Sequence, residues 1–259
     1  MKITAIIVLS AGLLSLGNFT APISTAIPQA GPDAHRLRTG RFTYRSLDHG
    51  KDVGKGHNTI RRLADSGNYA FSEVFDFSKD FKGYRSQRWE SIATSEFEPI
   101  SATLSFGEAP SNTPVFDLKY TSGRVTGFAI SRKDSGHGTE GTKRSIDAAL
   151  PANTVDQRID WATVLASDLE SGKQFEFNVY DPGTGVSRAI AEVGPLERVQ
   201  VPAGSFLVYR VIYRIEKAGG TERYQVLASR DLPRVLVREE FPNGAVDELM
   251  EMSGDVALP

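Results

Sequence analysis

Residues 205–216 have the sequence SFLVYRVIYRIE and give the clearest indication of the fold. Successive side chains of a strand point to opposite faces of a sheet, so this stretch predicts two different surfaces. One face is free of charge and holds Leu207, Tyr209, Val211, Tyr213 and Ile215. The other face combines apolar side chains with two arginines, namely Phe206, Val208, Arg210, Ile212 and Arg214.

A strand that is wet on one side would not have apolar residues on both faces. We therefore expect the charge-free face to meet a helix or the main core. The mixed face is expected to line the concave side of a curved sheet, where Arg210 and Arg214 would meet the anionic part of an amphiphilic ligand. The alternative is an extended arginine pair at a solvent-exposed edge.

The same alternation recurs in short segments from Arg41 to Met252, separated by turns rich in Gly, Pro, Asn and Asp. It predicts a mainly β protein with a single curved antiparallel sheet or an incomplete β-barrel of about ten to twelve strands. Between Asn153 and Leu169 the apolar residues recur at helical spacing, which predicts one packed α-helix. Residues 38–254 are expected to form one β-rich domain, with residues 27–37 and 255–259 as loose termini.

The N-terminal segment has the features of a signal peptide. Lys2 precedes an apolar run over residues 3–16, which is shorter than the roughly 20 residues of a membrane span. Ser24 and Ala26 supply the small residues that a signal peptidase reads, so residues 1–26 are expected to be removed. The sequence thus predicts a periplasmic or secreted bacterial protein without a membrane span after cleavage. An uncleaved anchor is the alternative.

The composition excludes several classes of function. The chain has no cysteine, which removes disulfides and thiolate chemistry, and its formal net charge of -2 gives no reason to expect a nucleic acid partner. The four histidines match no metal-ligand spacing, and the sequence has no phosphate loop, dinucleotide fingerprint or serine-hydrolase elbow. No metal or cofactor is therefore predicted.

Two further groups of residues are candidates for chemistry. Trp89 and Arg85 share one face of a predicted strand, which suits stacking on a sugar or covering an acyl chain, although core packing also explains the tryptophan. Asp156 and Asp160 lie one turn apart in the predicted helix, and paired carboxylates are the machinery of glycan hydrolases. Stabilisation of the helix N-terminus explains the same pair.

The C-terminal third carries a recognisable resemblance. Residues 199–206, VQVPAGSF, and residues 232–238, LPRVLVR, resemble the exported bacterial family called domain of unknown function 3108. The resemblance implies a signal peptide and a curved antiparallel sheet somewhat like lipoprotein-carrier or lipocalin folds. It implies no established activity, so no catalytic residues carry over. Within the motif, Pro202 and Gly204 predict a tight turn with Gly204 at positive φ.

Three functions fit these observations. The first is an exported, non-catalytic binding protein for an amphiphilic envelope ligand, such as a lipid, an acyl chain or a glycan, which the residues Arg210, Arg214, Phe206, Val208, Ile212, Trp89 and Arg85 would contact. The second is an envelope assembly or scaffolding protein that binds another protein. The third is a carboxylate-based polysaccharide hydrolase.

The mature protein is expected to begin at Ile27, because the small-residue site ends at Ala26. N-terminal sequencing of the protein recovered from the periplasm or the medium tests this. An intact Met1 in the membrane fraction would contradict it.

Overall fold

The computed structural model describes residues 31–81, 84–107, 113–132 and 141–254. This part of the chain forms one sheet of fifteen strands, two short 3-10 helices and one α-helix. No helix in it is long and apolar enough to cross a membrane. The prediction of a mainly β protein with a single sheet and one packed helix is confirmed.

The strands run in chain order from β1 to β15. The first eight are Gly40–Asp48, Lys51–Arg62, Tyr69–Phe81, Tyr84–Ala93, Pro99–Phe106, Thr113–Thr121, Arg124–Arg132 and Gly141–Ala149. The remaining seven are Thr154–Asp156, Gln174–Asp181, Gly185–Val201, Gly204–Lys217, Gly220–Ser229, Leu236–Glu240 and Ala245–Ser253. The 3-10 helices are Ala34–Arg36 and Gln157–Ile159, and α1 is Asp160–Ala166.

The spatial order of the strands is β8-β7-β6-β5-β4-β3-β2-β1-β15-β14-β13-β12-β11-β10-β9. All neighbours are antiparallel except β9 and β10, which are parallel. The sheet therefore consists of two meanders, and its first and last strands pair with each other in the middle.

The predicted number of ten to twelve strands is wrong, because the sheet has fifteen. The missing strands are those in which alternation is weak. One of them is β8, whose sequence GTKRSIDAA contains no row of large apolar residues. Their pairing is decided by neighbouring strands that the local sequence does not contain.

The predicted helix over residues 153–169 is also too long, since α1 covers only Asp160–Ala166. Val155 belongs to β9, where it lies opposite Val179 of β10. The Asp156 side chain accepts a hydrogen bond from the Arg158 backbone N–H and begins the 3-10 turn. The buried apolar residues that recur at helical spacing here belong to three successive elements, which are a strand, a 3-10 turn and a short helix.

Every residue of α1 is buried, and the sheet packs its main core around the helix. The core includes Phe42 and Phe71 from the first meander, Val164 from α1, and Val211 and Leu249 from the second meander. The charge-free face of β12 meets the helix as expected. Its Tyr213 hydroxyl lies 3.4 Å from Asp160 Oδ1 at the beginning of α1.

Two arginines and one backbone amide satisfy the carbonyls at the C-terminal end of α1. Arg234, which is 6% exposed, donates through Nη1 to the Leu165 carbonyl at 2.8 Å and to the Ser167 carbonyl at 2.7 Å. Arg36 Nη1 and the Asp33 N–H both donate to the Ala166 carbonyl, at 3.2 and 3.1 Å. Cations at this end also complement the helix dipole.

The interior also contains four acidic side chains, Glu73, Asp160, Glu239 and Asp247. The Tyr213 hydroxyl lies 3.4 Å from Glu239 Oε1, so it joins this residue to Asp160. Ser46 donates a hydrogen bond to Asp247, and Trp89 of β4 lies directly opposite Glu73 of β3. Among the described residues none of the four forms a salt bridge.

Burial raises the pKa of each of these carboxyl groups. It raises the pKa of Glu73 to about 8, with a further contribution from the charge of Asp247. It raises the pKa of Asp160 to about 7 and that of Asp247 to about 6. The pKa of Glu239 rises well above its ordinary value for the same reason, and the charge of Asp160 adds to the effect.

Stability is expected to fall as the pH rises from 5 to 8. Because these folded-state pKa values lie above those of the unfolded chain, the folded state binds more protons in this window, and raising the pH removes that advantage. Urea unfolding at pH 5, 6, 7 and 8 measures the effect. Asp247→Asn should flatten the curve near pH 6, whereas Glu248→Gln, on the same strand, should not. An unfolding midpoint that increases from pH 5 to 8 would contradict the assignment.

Gly204 has φ +130° at the beginning of β12, which confirms the expected positive φ, and no other atom lies within 4 Å of the position of a Cβ. Gly204→Val is expected to lower the free energy of unfolding by about 1 to 3 kcal/mol through backbone strain alone. Chemical denaturation measures the change. Ser205→Val, at the next and exposed position, is the control and should leave the midpoint nearly unchanged. Equal midpoints for the two variants would show that no strain arises at Gly204.

Candidate functional site

An open groove of about 1300 Å³ lies beside strands β1 to β4. Its walls include the segment from His35 to Arg41, which precedes and begins β1, together with Pro233 and Gly254. Much of its surface comes from the face of these strands that points away from the core residues Phe42 and Phe71. The groove is thus on the outside of the sheet.

Strand register explains why basic residues gather in the groove. Arg41 of β1 lies opposite Thr59 of β2. One row runs across the next three strands, from His57 to Val74 to Arg88. Directly opposed residues share a face of the sheet, so residues distant in sequence meet on the outer surface.

The electrostatic character of the groove is strongly positive. Its lining contains one acidic residue, Asp76, and seven basic residues, namely His35, Arg38, Arg41, His57, Arg61, Arg62 and Arg88. Arg61 lies 3.6 Å from Glu90. Within the described ranges no ion pair is found for the side chains of the other four arginines, which leaves them available to an anion.

Apolar side chains lie between these charges. Val74 is half-buried and Pro233 is exposed, whereas Leu37, Ile60 and Tyr69 are only 3 to 4% exposed and join the groove to the main core. The Tyr69 ring stacks on Phe71 with 6.4 Å between centroids, and the edge of His35 approaches it at 5.8 Å. Burial raises the pKa of the Tyr69 hydroxyl, and the residue is only 3% exposed, so it supports the groove from the core side. The groove can therefore contact both an anionic group and a hydrocarbon part.

The wall formed by residues 35–41 is fixed to the core. The Arg38 N–H donates to the Arg234 carbonyl at 2.9 Å, and the Arg234 N–H donates to the Arg36 carbonyl at 2.6 Å. Leu37 and Arg234 form a parallel bridge. Because Arg234 also holds the end of α1, the groove wall and the helix share one anchor. Asp33 supports the segment from its other end. Its pKa is held below the usual value by a hydrogen bond from the His35 backbone N–H.

The residues of β12 that the sequence predicts as ligand-binding do not line this groove. Arg210 is 2.5 Å from Glu197, and Arg214 is 3.9 Å from Glu192, both on β11. The arginines lie on the face of β12 that points away from Tyr213, not on the side of the sheet that faces α1. The helix and the core occupy that side and are contacted by the other face of the strand. Phe206 packs against the core, Val208 is buried, and Ile212 lies opposite Glu192.

Trp89 and Arg85 are not brought together either. Trp89 is 6% exposed and lies on the core side of β4, opposite Glu73 of β3. Arg85 is exposed near the other end of the strand. Arg88, one residue before the tryptophan, is the residue of this strand that enters the groove.

The carboxylate pair is separated as well. Asp156 is fully buried, where it accepts hydrogen bonds from Tyr120 and Arg158. Asp160 instead approaches Glu239 through Tyr213, and these two acids are only 4% and 6% exposed. A polysaccharide cannot reach carboxylates at such positions. In the described part of the chain, no group of three or more His, Cys, Asp or Glu residues could hold a metal ion.

Comparison with solved structures shows a clear likeness of fold. A β-barrel-like protein of domain of unknown function DUF1849 from Brucella abortus matches with a TM-score of 0.57 and 11% identity, covering 85% of this chain and 99% of that chain. A candidate exported protein with a YmcC-like fold from Bacteroides fragilis and a candidate lipoprotein from Parabacteroides distasonis have TM-scores of 0.37 and 0.35. Their identities are 10% and 11%, and they cover 87% of this chain and 99% and 100% of their own.

No curated protein matches the sequence. The profile of a family described as protein of unknown function (DUF3108) matches residues 41–251, which include every strand of the sheet except the ends of the first and last. This chain therefore belongs to the DUF3108 family.

Proposed function

We propose that the protein is an exported, non-catalytic binding protein for an anionic amphiphile of the cell envelope, and that the groove beside β1 to β4 is its binding site. One observation carries the proposal. Arg38, Arg41, Arg62 and Arg88 surround an open cavity without acidic partners in the described residues, and apolar side chains lie between them.

The physical basis is the strength of charge-assisted hydrogen bonds. A guanidinium offers a planar pair of N–H donors that matches a carboxylate, phosphate or sulfate group. Arg41 and Arg88 are both exposed and lie on strands separated by β2 and β3. Neighbouring strands are about 4.8 Å apart, so the ligand that contacts both arginines is more extended than a single small anion.

The apolar residues favour an amphiphile over a free anion. Val74 and Pro233 offer hydrocarbon surface in the same groove as the arginines. Burial of an acyl chain or of the apolar face of a sugar there contributes roughly 25 cal/mol for each Å² removed from water. A lipid, an acyl chain with an acidic head, or an acidic glycan has this combination. The signal-peptide features of residues 1–26 support an envelope or extracellular location.

A scaffolding role is the second candidate, and it rests on the sheet edge at β8. This strand, Gly141–Ala149, pairs only with β7 in the described sheet. However, Lys143, Arg144 and Asp147 are exposed along it, and charged side chains on an edge strand oppose the addition of another strand. The groove therefore supports a binding role better than the edge supports a scaffolding role.

Titration with a fluorescent fatty acid tests the proposal. The wild type is expected to bind saturably, and Arg41→Gln combined with Arg88→Gln should weaken binding by at least about tenfold, since each hydrogen bond to a charged group contributes about 1.5 to 3 kcal/mol. Rising salt should weaken wild-type binding more than binding to the double variant.

The matched control is Arg210→Gln combined with Arg214→Gln, which also removes two arginines, but from ion pairs on β12. This control should bind like the wild type. If it loses affinity while the groove variant does not, the site is on β12, as the sequence alone suggested. Absence of saturable binding to the wild type would overturn the binding role.

A further inference from the structure

Two exposed arginines of the groove lie on strands that are not neighbours. Arg41 is near the beginning of β1 and Arg88 is in the middle of β4, with β2 and β3 between them. Both line the groove, and neither has an ion pair within the described residues. Exposed guanidinium groups without an acidic partner are well suited to anchor an anionic ligand.

Two acids on the same face of the sheet are balanced by other basic residues. Glu90 of β4 lies 3.6 Å from Arg61 of β2. Asp76 of β3 is the one acid in the groove lining, and Lys55 of β2 lies directly opposite it. The charges of these acids are thus directed to other side chains, and the two unpaired arginines remain available to a ligand.

Strand register gives the distance between the two arginines. The row of opposed residues that begins at Arg41 reaches β4 at Glu90, two residues beyond Arg88. Three strand spacings of about 4.8 Å and two residues of about 3.4 Å place the two α-carbons roughly 16 Å apart. Side chains of strands stand roughly perpendicular to the sheet, so the guanidinium groups keep a separation of this order. A single carboxylate, phosphate or sulfate group does not span it.

The floor between the two arginines carries no acid. It is formed by half-buried residues of β2 and β3, namely His57, Thr59, Ser72 and Val74. The His57 ring lies within hydrogen-bond distance of the Thr43 hydroxyl, with 3.2 Å between Nδ1 and Oγ1. This surface suits an uncharged part of a ligand, and Val74 gives it an apolar contact.

We propose that the ligand of the groove carries an anionic group at each end of a largely apolar segment, one group for Arg41 and one for Arg88. The inference rests on the proposed function, because it names the chemical class of the amphiphile that the groove binds. Each guanidinium would donate a pair of parallel N–H bonds to its own anionic group. Arg38, which also lines the groove, adds positive charge three residues before Arg41.

A molecule with a single anionic group fits this arrangement less well. If its head contacts Arg41, its chain runs across the floor and covers the guanidinium of Arg88 with hydrocarbon. Taking a charged group out of water without a partner is costly. A second anionic group at the far end of the chain removes this cost and adds charge-assisted hydrogen bonds.

Isothermal titration calorimetry with two acids of equal carbon number tests the inference. Dodecanoate has one carboxylate, and dodecanedioate has one at each end of the same chain. At about pH 8 all of these carboxyl groups are ionised. We expect dodecanedioate to bind at least about tenfold more tightly, because only it forms charge-assisted hydrogen bonds with both arginines. A purely apolar site would give the opposite order, because the second carboxylate favours the solution.

Two further diacids test the segment between the anionic groups. Succinate is too short to reach both arginines, so it should bind at least about tenfold more weakly than dodecanedioate. A diacid of the same length with an ethylene glycol spacer keeps both charges but loses the hydrocarbon. It should also bind more weakly than dodecanedioate, because it buries less apolar surface against Val74 and Pro233.

Single substitutions test the two ends of the site. Arg41→Gln and Arg88→Gln should each remove most of the advantage of dodecanedioate over dodecanoate, because each leaves one carboxylate without its partner. The controls are Arg45→Gln on β1, which removes an arginine that pairs with Glu248, and Arg85→Gln on β4. Both controls should keep the wild-type advantage. Urea midpoints confirm that each variant is folded.

The inference is overturned if dodecanoate binds to the wild type and dodecanedioate binds no more tightly, an outcome that leaves the binding role itself in place. An advantage of dodecanedioate that survives in both folded groove variants would also overturn it. If neither acid gives saturable heat at two temperatures, the binding role and the inference both fail. Equal affinity for the hydrocarbon and ethylene glycol spacers would show that the groove recognises charge alone and would reject an amphiphile.

Discussion

The buried guanidinium of Arg234 holds the parts of this structure together. It neutralises the C-terminal end of α1 by donating to the Leu165 and Ser167 carbonyls, and its own backbone fixes the segment that leads into β1. A seven-residue helix has no independent stability, so α1 depends on such tertiary contacts and on complete burial. The sheet in turn needs the helix, because without it the inner faces of both meanders would lack an apolar partner.

The sheet separates two electrostatic environments. Its outer face beside β1 to β4 gathers arginines, whereas its inner face holds four acids with raised pKa values. Alternation along β2 shows how closely these environments are spaced, since Asn58 points inward while His57 and Thr59 line the groove. Because side chains alternate between the two faces, one layer of backbone separates an arginine-rich outer surface from an interior that contains acids with raised pKa values.

Sequence periodicity was sufficient for the fold class and the burial of the charge-free face of β12, and Pro202 with Gly204 was sufficient for the turn. It could not count strands such as β8, whose pairing depends on distant neighbours, and it overextended the helix because strand and helix both need buried apolar residues near Val155. The groove could not be predicted from the sequence for a related reason. The alternation of β2 places Thr59 and Arg61 on one face, but the register that adds Arg41 and Arg88 is a property of the assembled sheet. The glutamate partners of Arg210 and Arg214 could not be predicted either, because they also depend on the pairing of two strands.

The pairing of β1 with β15 has a consequence for the order of folding. Almost every other strand pair joins neighbours in sequence and can form as a local hairpin, but this seam joins Gly40–Asp48 to Ala245–Ser253 across nearly the whole chain. Its loop-closure entropy is the largest in the sheet, and contacts of this separation slow folding. Two ribbons would thus form early and close together last. A chain that is still being synthesised or threaded through a pore cannot complete its sheet until its final strand has emerged.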